Sequence, residues 1–170
     1  KNVIFRDTNF GLQKNIVTGI AEVFKNNDTV IVVEDDLILS RNFLKYMNDS
    51  LRSYKNSNDV ISIHGYCYPN LRIKENYFFL KGADCWGWAT WKDKWDIYES
   101  NTIKLLLKLF LAPHKIYDFN FSFYGPYLKM LINAFIGKNN SWAIKWYTAA
   151  FLKGMLTLYP KHSFVFNSGL

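Results

Sequence analysis

The chain has 170 residues, 49% hydrophobic and 18% aromatic, which excludes a disordered composition and suits one globular domain spanning residues 1–170. Lys and Arg total 21 against 14 Asp and Glu, and this +7 excess favours an anionic partner: nucleic acid, a phosphorylated small molecule or an anionic membrane face. Cys67 and Cys85 have no companion His or Cys at ligand spacing, which points to free thiols in a reducing cytosol and away from a disulfide or zinc site.

The N-terminal "KNVIFRDTNF" lacks both a long apolar stretch and an initiator Met, so no signal peptide is read and a fragment of a longer chain is expected. Residues 2–5 read as a short strand. Asp7, Thr8 and Asn9 offer N-caps to a helix whose apolar residues Leu12, Ile16, Ile20, Val23 and Phe24 recur every three to four positions, closed by "NND" at 26–28. Residues 29–33, "TVIVV", are β-branched throughout and apolar on both faces, the pattern of a strand covered on both sides in a parallel sheet. Three carboxylates follow, Glu34, Asp35 and Asp36. The next helix is capped by Ser40 and carries a stripe of Phe43, Leu44, Met47, Leu51 and Tyr54. Residues 59–66 form the next strand.

Downstream, residues 86–98, 103–111, 124–136 and 142–153 read as helices and 155–160 as a short strand, without repeats or low-complexity linkers. The segment 103–112 is the most lipid-like, yet Lys108 interrupts it and it falls far short of the roughly 20 apolar residues a bilayer span needs. This order predicts an α/β domain with a mostly parallel sheet flanked by helices. It also places the acids at the carboxyl end of a parallel strand, the edge where such sheets bind ligands.

Adjacent carboxylates repel one another and want a multivalent counterion. Hard oxygen ligands suit Mg²⁺ or Mn²⁺, ions that also hold substrate phosphates. Successive residues leaving a strand point in different directions, so one acid can bind metal while another reaches a ribose hydroxyl. The competing reading makes Asp35 and Asp36 caps of the next helix; their position at the end of a wholly apolar strand favours function.

A second stretch, "GADCWGWATWKDKWD" at 82–96, holds four of the six Trp. Aromatic faces stack on sugar rings and bases, and Gly87 between Trp86 and Trp88 lets a backbone approach a ligand closely. Trp88, Trp91 and Trp95, three and four apart on one helical face, belong in the core, which leaves Trp86 and Gly87 as site candidates. Asp84 reads first as a helix N-cap and second as a general base. His64, His114 and His162 lack metal-site spacing and are expected to be structural or surface residues, and no GxGxxG, GxxxxGK[ST] or GxSxG occurs. The Lys are scattered and no nucleic-acid module is present, so nucleic acid is set aside as a partner.

Together, "NFGLQKNIVTGIAEVF", "TVIVVEDDLILSRNFLKYMNDSL", "CWGWATWKDKW" and "SWAIKWYTAAFLKGMLTLYPKHSFVFNSGL" resemble the bacterial GT-A-type glycosyltransferases that are similar to animal N-acetylglucosaminyltransferase I and to the glycosyltransferase family 2-like group. The resemblance runs over nearly the whole chain. It implies a hexosyl- or N-acetylhexosaminyltransferase. Such an enzyme moves a sugar with inversion from a nucleotide-diphospho-sugar, a UDP-sugar being favoured. The acceptor is a glycan or a lipid-linked molecule in bacterial surface-polysaccharide synthesis. It makes the acids a DXD-type motif in which Asp36 ligates Mn²⁺ or Mg²⁺ on the diphosphate, while Glu34 and Asp35 face the ribose and sugar. It further implies a partial GT-A domain, with first strands preceding residue 1 and a continuation beyond residue 170 toward a His that completes the metal site.

The family's base is an Asp where this chain has Asn140, and an amide cannot take that proton. Asp84 is the substitute candidate. The implied setting is cytoplasmic, with Lys104, Lys108, Lys115 and Lys129 able to hold the domain peripherally on the inner membrane, although solvated helix faces are the simpler reading of those Lys. Two alternatives stay open: a catalytically impaired sugar-nucleotide-binding protein, which Asn140 favours, and a nucleotidyltransferase, which would carry a Gly-rich basic N-terminal loop that this chain lacks.

Overall fold

The computed structural model describes residues 3–69, 71–122 and 125–169. Along the chain run α1 (Gly11–Val23), β1 (Thr29–Val32), β2 (Leu37–Leu39), α2 (Phe43–Ser53), β3 (Val60–His64), β4 (Tyr77–Lys81), β5 (Trp88–Trp91) and α3 (Lys92–Trp95). They are followed by α4 (Thr102–Phe110), a 3₁₀ turn at Pro113–Lys115, α5 (Ile116–Phe119), α6 (Tyr127–Phe135), α7 (Trp142–Leu152), β6 (Leu156–Pro160) and β7 (Val165–Asn167). The class is α/β, one mixed five-stranded sheet flanked by helices, with β2 and β7 forming a separate antiparallel pair.

The sheet order is β1-β5-β3-β6-β4, and β3–β6 is its one parallel ladder; the other three are antiparallel. The mostly parallel sheet expected from the sequence is therefore corrected. The reason is β5, which inserts between β1 and β3 running the other way. Because β1 and β3 both oppose β5, and β6 runs with β3, these three strands still share one direction. Their carboxyl ends meet at one edge, where β5 begins: Trp88 lies opposite both Val32 and His64.

Several local expectations change for identifiable reasons. Residues 3–5 form no strand, since nothing among the described residues pairs with them and Phe5 is 89% exposed; residue 2 lies outside the described residues. Asn9 accepts the Gly11 N–H at 2.8 Å, turning the chain into α1, while the cap position itself is Phe10 without a side-chain bond. β1 is an edge strand with only Val30 buried, not a strand covered on both sides. The helix expected directly after the acids is delayed by β2. Its cap is Asn42, not Ser40, and Leu44 is exposed while Tyr46 and Ser50 join the buried face. Helix α6 starts at Tyr127, after Pro126; residues 123–124 lie outside the described residues.

The helix expected over 86–98 is mostly wrong. "WATW" is a strand, and residues three apart on a strand face opposite sides. Trp88 accordingly joins Trp95, Trp142 and Trp146 under α1 and α7, whereas Trp91 joins Phe43, Met47 and Leu51 of α2 on the other face. All three Trp are buried, as expected. Trp88 lies 5.5 Å from Trp142 and 5.9 Å from Trp146, centroid to centroid. Burying an aromatic side chain of 150–250 Å² at ~25 cal/mol/Å² contributes roughly 4–6 kcal/mol of transfer free energy, so this cluster dominates that face.

A third cluster packs Leu105 and Leu109 of α4, Phe119 of α5 and Leu131 of α6 against Ile144, Tyr147 and Phe151 of α7. α7 is thus buried nearly all round, as a helix without a polar stripe must be. Among the described residues, no helix is long and apolar enough to cross a membrane.

Candidate functional site

The acids form the turn between β1 and β2. The Leu37 N–H donates to the Glu34 carbonyl at 3.2 Å, so Asp35 and Asp36 occupy the bend and cap no helix. The C-terminal segment clamps this turn: the Ser168 N–H and hydroxyl both donate to the Asp36 carbonyl at 2.9 Å. Gly169 follows, where a Cβ would stand 2.6 Å from Asp36 Oδ2. Asp36 lines a cavity of about 530 Å³ together with Tyr66, Trp86, Phe166, Asn167 and Gly169. Its Oδ1 is buried and has no hydrogen-bond partner among the described residues.

An unpartnered buried carboxylate oxygen is costly unless a ligand or ion completes it. Glu34 adds to the negative field: burial, then the charges of Asp36 and Asp35, push its carboxyl above the ordinary value. Asp35 is exposed. Among the described residues no three His, Cys, Asp or Glu side chains converge to hold a metal ion. A cation at Asp36 would therefore have to take most of its ligands from substrate and water.

Asp84 is placed by the segment that crosses the sheet face between β4 and β5. Thr157 donates its hydroxyl to the Gly82 carbonyl at 2.6 Å, and a Cβ on Gly82, at φ +93°, would fall 2.4 Å from the Tyr147 ring. Only glycine lets the chain pass there. With β5 a strand, Asp84 is no N-cap. It instead accepts two hydroxyls on Oδ2, Tyr68 at 2.5 Å and Tyr159 at 2.9 Å, and Oδ1 takes part in neither bond. Burial and then the Asp84 charge push both tyrosine hydroxyls far above their ordinary range, so they remain donors.

A second cavity of about 240 Å³ lies at Asp84, lined also by His64, Tyr66, Tyr68, Cys85 and Trp86. His64 is 1% exposed, and its Nδ1 has no partner among the described residues. Burial, partly opposed by Asp84, lowers its pKa to about 4, so the ring is neutral. The Cys85 thiol is pushed up by burial, then by the charges of Asp84, Glu34 and Asp36; it lies within the field of both acidic groups and stays protonated. Tyr66 and Trp86, edge to face at 4.8 Å, line both cavities.

One sheet edge thus gathers Glu34, Asp36, Asp84 and the 38%-exposed Trp86. Gly87 does not line either cavity. Its φ is +59°, and a Cβ there would meet Val165 at 2.8 Å, so the close approach it allows is to the protein's own β7 and to Phe43. Asn140 is exposed and precedes Ser141, whose hydroxyl caps α7 by accepting the Ile144 N–H. His64 is buried at the end of β3, in keeping with a structural residue, and also lines the cavity at Asp84. Tyr66, Tyr68 and Tyr159 are not singled out by sequence; "HGYCY", at the carboxyl end of β3, carries a signal for the first two and none for Tyr159.

No protein-family model matches the chain, and no curated protein matches it significantly. The chemistry of the site has to be read from its own geometry.

Proposed function

We propose that the chain is a metal-dependent, inverting glycosyltransferase domain of GT-A type, a hexosyl- or N-acetylhexosaminyltransferase. Its donor is a nucleotide-diphospho-sugar, a UDP-sugar being favoured, and its acceptor is a glycan or lipid-linked molecule. The observation that carries this reading is the orphaned, buried Asp36 Oδ1 on a 530 Å³ cavity whose walls include Tyr66 and Trp86. A cation on Asp36 would complete that oxygen and hold a diphosphate, and aromatic faces beside it suit a sugar or a base.

Bound there, Mn²⁺ or Mg²⁺ would neutralise charge developing on the leaving diphosphate. The remaining work falls to the chain's own residues. Asp36 anchors the cation, Glu34 supplies further negative field, and Asp35 lies exposed at the rim. Asp84, held by Tyr68 and Tyr159, is the base: the acceptor hydroxyl gives its proton to Oδ1 as its oxygen bonds to the anomeric carbon. The bond from that carbon to the diphosphate breaks, and its electron pair leaves with the nucleoside diphosphate. Asp84 and Asp36 line two cavities that share Tyr66 and Trp86, and a single displacement with inversion between them is the step this reading assigns.

A membrane-associated acceptor is favoured by α4, where Ile103, Leu107, Phe110 and the following Leu111 form an exposed stripe beside Lys104 and Lys108. Such a face can lie on the anionic cytoplasmic surface of an inner membrane.

Turnover tests the proposal: Mn²⁺-dependent release of UDP from UDP-sugars, compared between the wild type and Asp84→Asn. Loss of a positioned base should lower kcat by about 10²–10⁴-fold while donor affinity is kept. Donor binding without any turnover would favour a second reading, a sugar-nucleotide-binding protein. Asn140 and the engagement of Asp84 Oδ2 by two hydroxyls both point that way.

A further inference from the structure

We propose that the 240 Å³ cavity of His64, Tyr66, Tyr68, Asp84, Cys85 and Trp86 is a subsite for one neutral monosaccharide unit, the reacting terminus of the acceptor. This rests on the glycosyltransferase reading and deepens it.

Size comes first. At about 240 Å³ the cavity is less than half the 530 Å³ of the one at Asp36, which matches a single sugar ring better than a nucleotide. The nucleotide has its own, larger cavity beyond the shared Tyr66–Trp86 wall.

The walls then select the chemistry. Tyr66, Tyr68 and Trp86 offer aromatic surface for the C–H face of a sugar. His64 is almost wholly buried with an unpartnered Nδ1, a polar atom that apolar packing alone leaves at a cost. A ligand that brings hydroxyls into this cavity offers the partner that the described residues do not. Asp84 presents a carboxylate whose Oδ2 is already fixed by two tyrosines, so an incoming hydroxyl meets an acceptor that is held in place.

Charge excludes the alternatives. Among the described residues no Lys or Arg lines the cavity, and Asp84 carries a negative charge into it. An acidic sugar or a phosphate would enter against that charge with no cation to receive it. The acceptor terminus assigned here is therefore uncharged.

Saturation-transfer NMR and calorimetry with a panel of methyl glycosides test this, in the presence of Mn²⁺ and UDP. The panel is methyl β-glucoside, methyl β-galactoside, methyl N-acetyl-β-glucosaminide and the acidic methyl β-glucuronide. At least one neutral glycoside should bind the wild type at least about tenfold more tightly than the glucuronide, and Cys85→Phe, which fills the cavity, should weaken it about tenfold. UDP affinity of Cys85→Phe should stay as in the wild type, which also reports an intact fold. Should Phe unfold the protein by circular dichroism, Cys85→Met fills part of the same space.

Equal glycoside binding by the filled variant, equal binding of the glucuronide, or no glycoside binding to a protein that binds UDP would each overturn the subsite. A wild type that binds a neutral glycoside but no UDP overturns the donor reading and leaves the cavity's sugar specificity standing.

Discussion

Ser168 holds Asp36 twice, its N–H and its hydroxyl each donating to the Asp36 carbonyl at 2.9 Å. Residues 132 positions apart thereby fix the backbone from which the Asp36 carboxylate projects. The acidic turn is not a free loop at the end of β1. It is stitched to β7 through the β2–β7 ladder, with Leu37 opposite Asn167.

Gly169→Ala tests that stitching. The new methyl would fall 2.6 Å from Asp36 Oδ2, and the carboxylate, as the end of a flexible side chain, would move aside. Mn²⁺-dependent nucleotide binding should weaken by about tenfold, equivalent to ~1.4 kcal/mol. The melting temperature without ligand should hardly change, because Gly169 is exposed. Calorimetric titration of UDP reads the first quantity and a thermal melt the second.

Glu34→Gln should stabilise the ligand-free protein at neutral pH. The Glu34 carboxyl titrates above its ordinary 4.5 because of burial and the Asp36 and Asp35 charges. Its favourable contribution is complete below 4.5 and is lost as pH rises through the raised value. The variant's melting temperature should exceed the wild type's at pH 7, and the gap should close toward pH 4. Mn²⁺ should raise the wild type more than the variant.

His64 gives the opposite slope. Its folded value of about 4 lies below the ordinary 6.5, so the unfolded chain binds a proton that the folded chain refuses. Stability present above pH 6.5 is lost as pH falls toward 4, at up to about 1.4 kcal/mol per pH unit. Glu34, raised above 4.5, acts in the opposite direction within this window, and because it is common to both proteins the comparison with His64→Gln isolates the histidine. Urea denaturation between pH 7 and 4.5 should show the slope in the wild type and a flatter one in His64→Gln.

Trp88→Ala probes the core beneath the site. Trp88 is fully buried, with Trp142, Trp95 and Trp146 within 5.5, 5.7 and 5.9 Å of its ring centre. The cost should be about 3–5 kcal/mol, a large share of the 5–15 kcal/mol typical of a domain. Urea unfolding measures it.

Those same tryptophans mark where sequence reading reaches its limit. The helices α1 and α4 follow from apolar periodicity and α7 from an apolar run too long for a strand, and β3 and β6 from their β-branched and aromatic runs. Trp88, Trp91 and Trp95 mimic a helical stripe because a strand passes directly into a short helix, and spacing cannot register that change. An apolar run such as β1 looks alike at a sheet edge and at its centre, so only the insertion of β5 reveals the edge. Asp36 and Trp86 stand out in the sequence, and they line one cavity. The Asp84 partner Tyr159 does not: it lies 75 positions away, delivered by the β3–β6 pairing, and no local pattern encodes it.

The central claim is that Asp36 holds a divalent cation on which a nucleotide-diphospho-sugar docks. Thermal protection by UDP-, GDP- and CMP-sugars, with and without Mn²⁺, tests it directly on the wild type and Asp36→Ala. At about 100 times its Kd, a bound donor should add about 2.7 kcal/mol and raise the melting temperature by roughly 5–10 °C, only with Mn²⁺ and only in the wild type. If no nucleotide sugar protects the protein, or if Asp36→Ala is protected equally, the claim is contradicted.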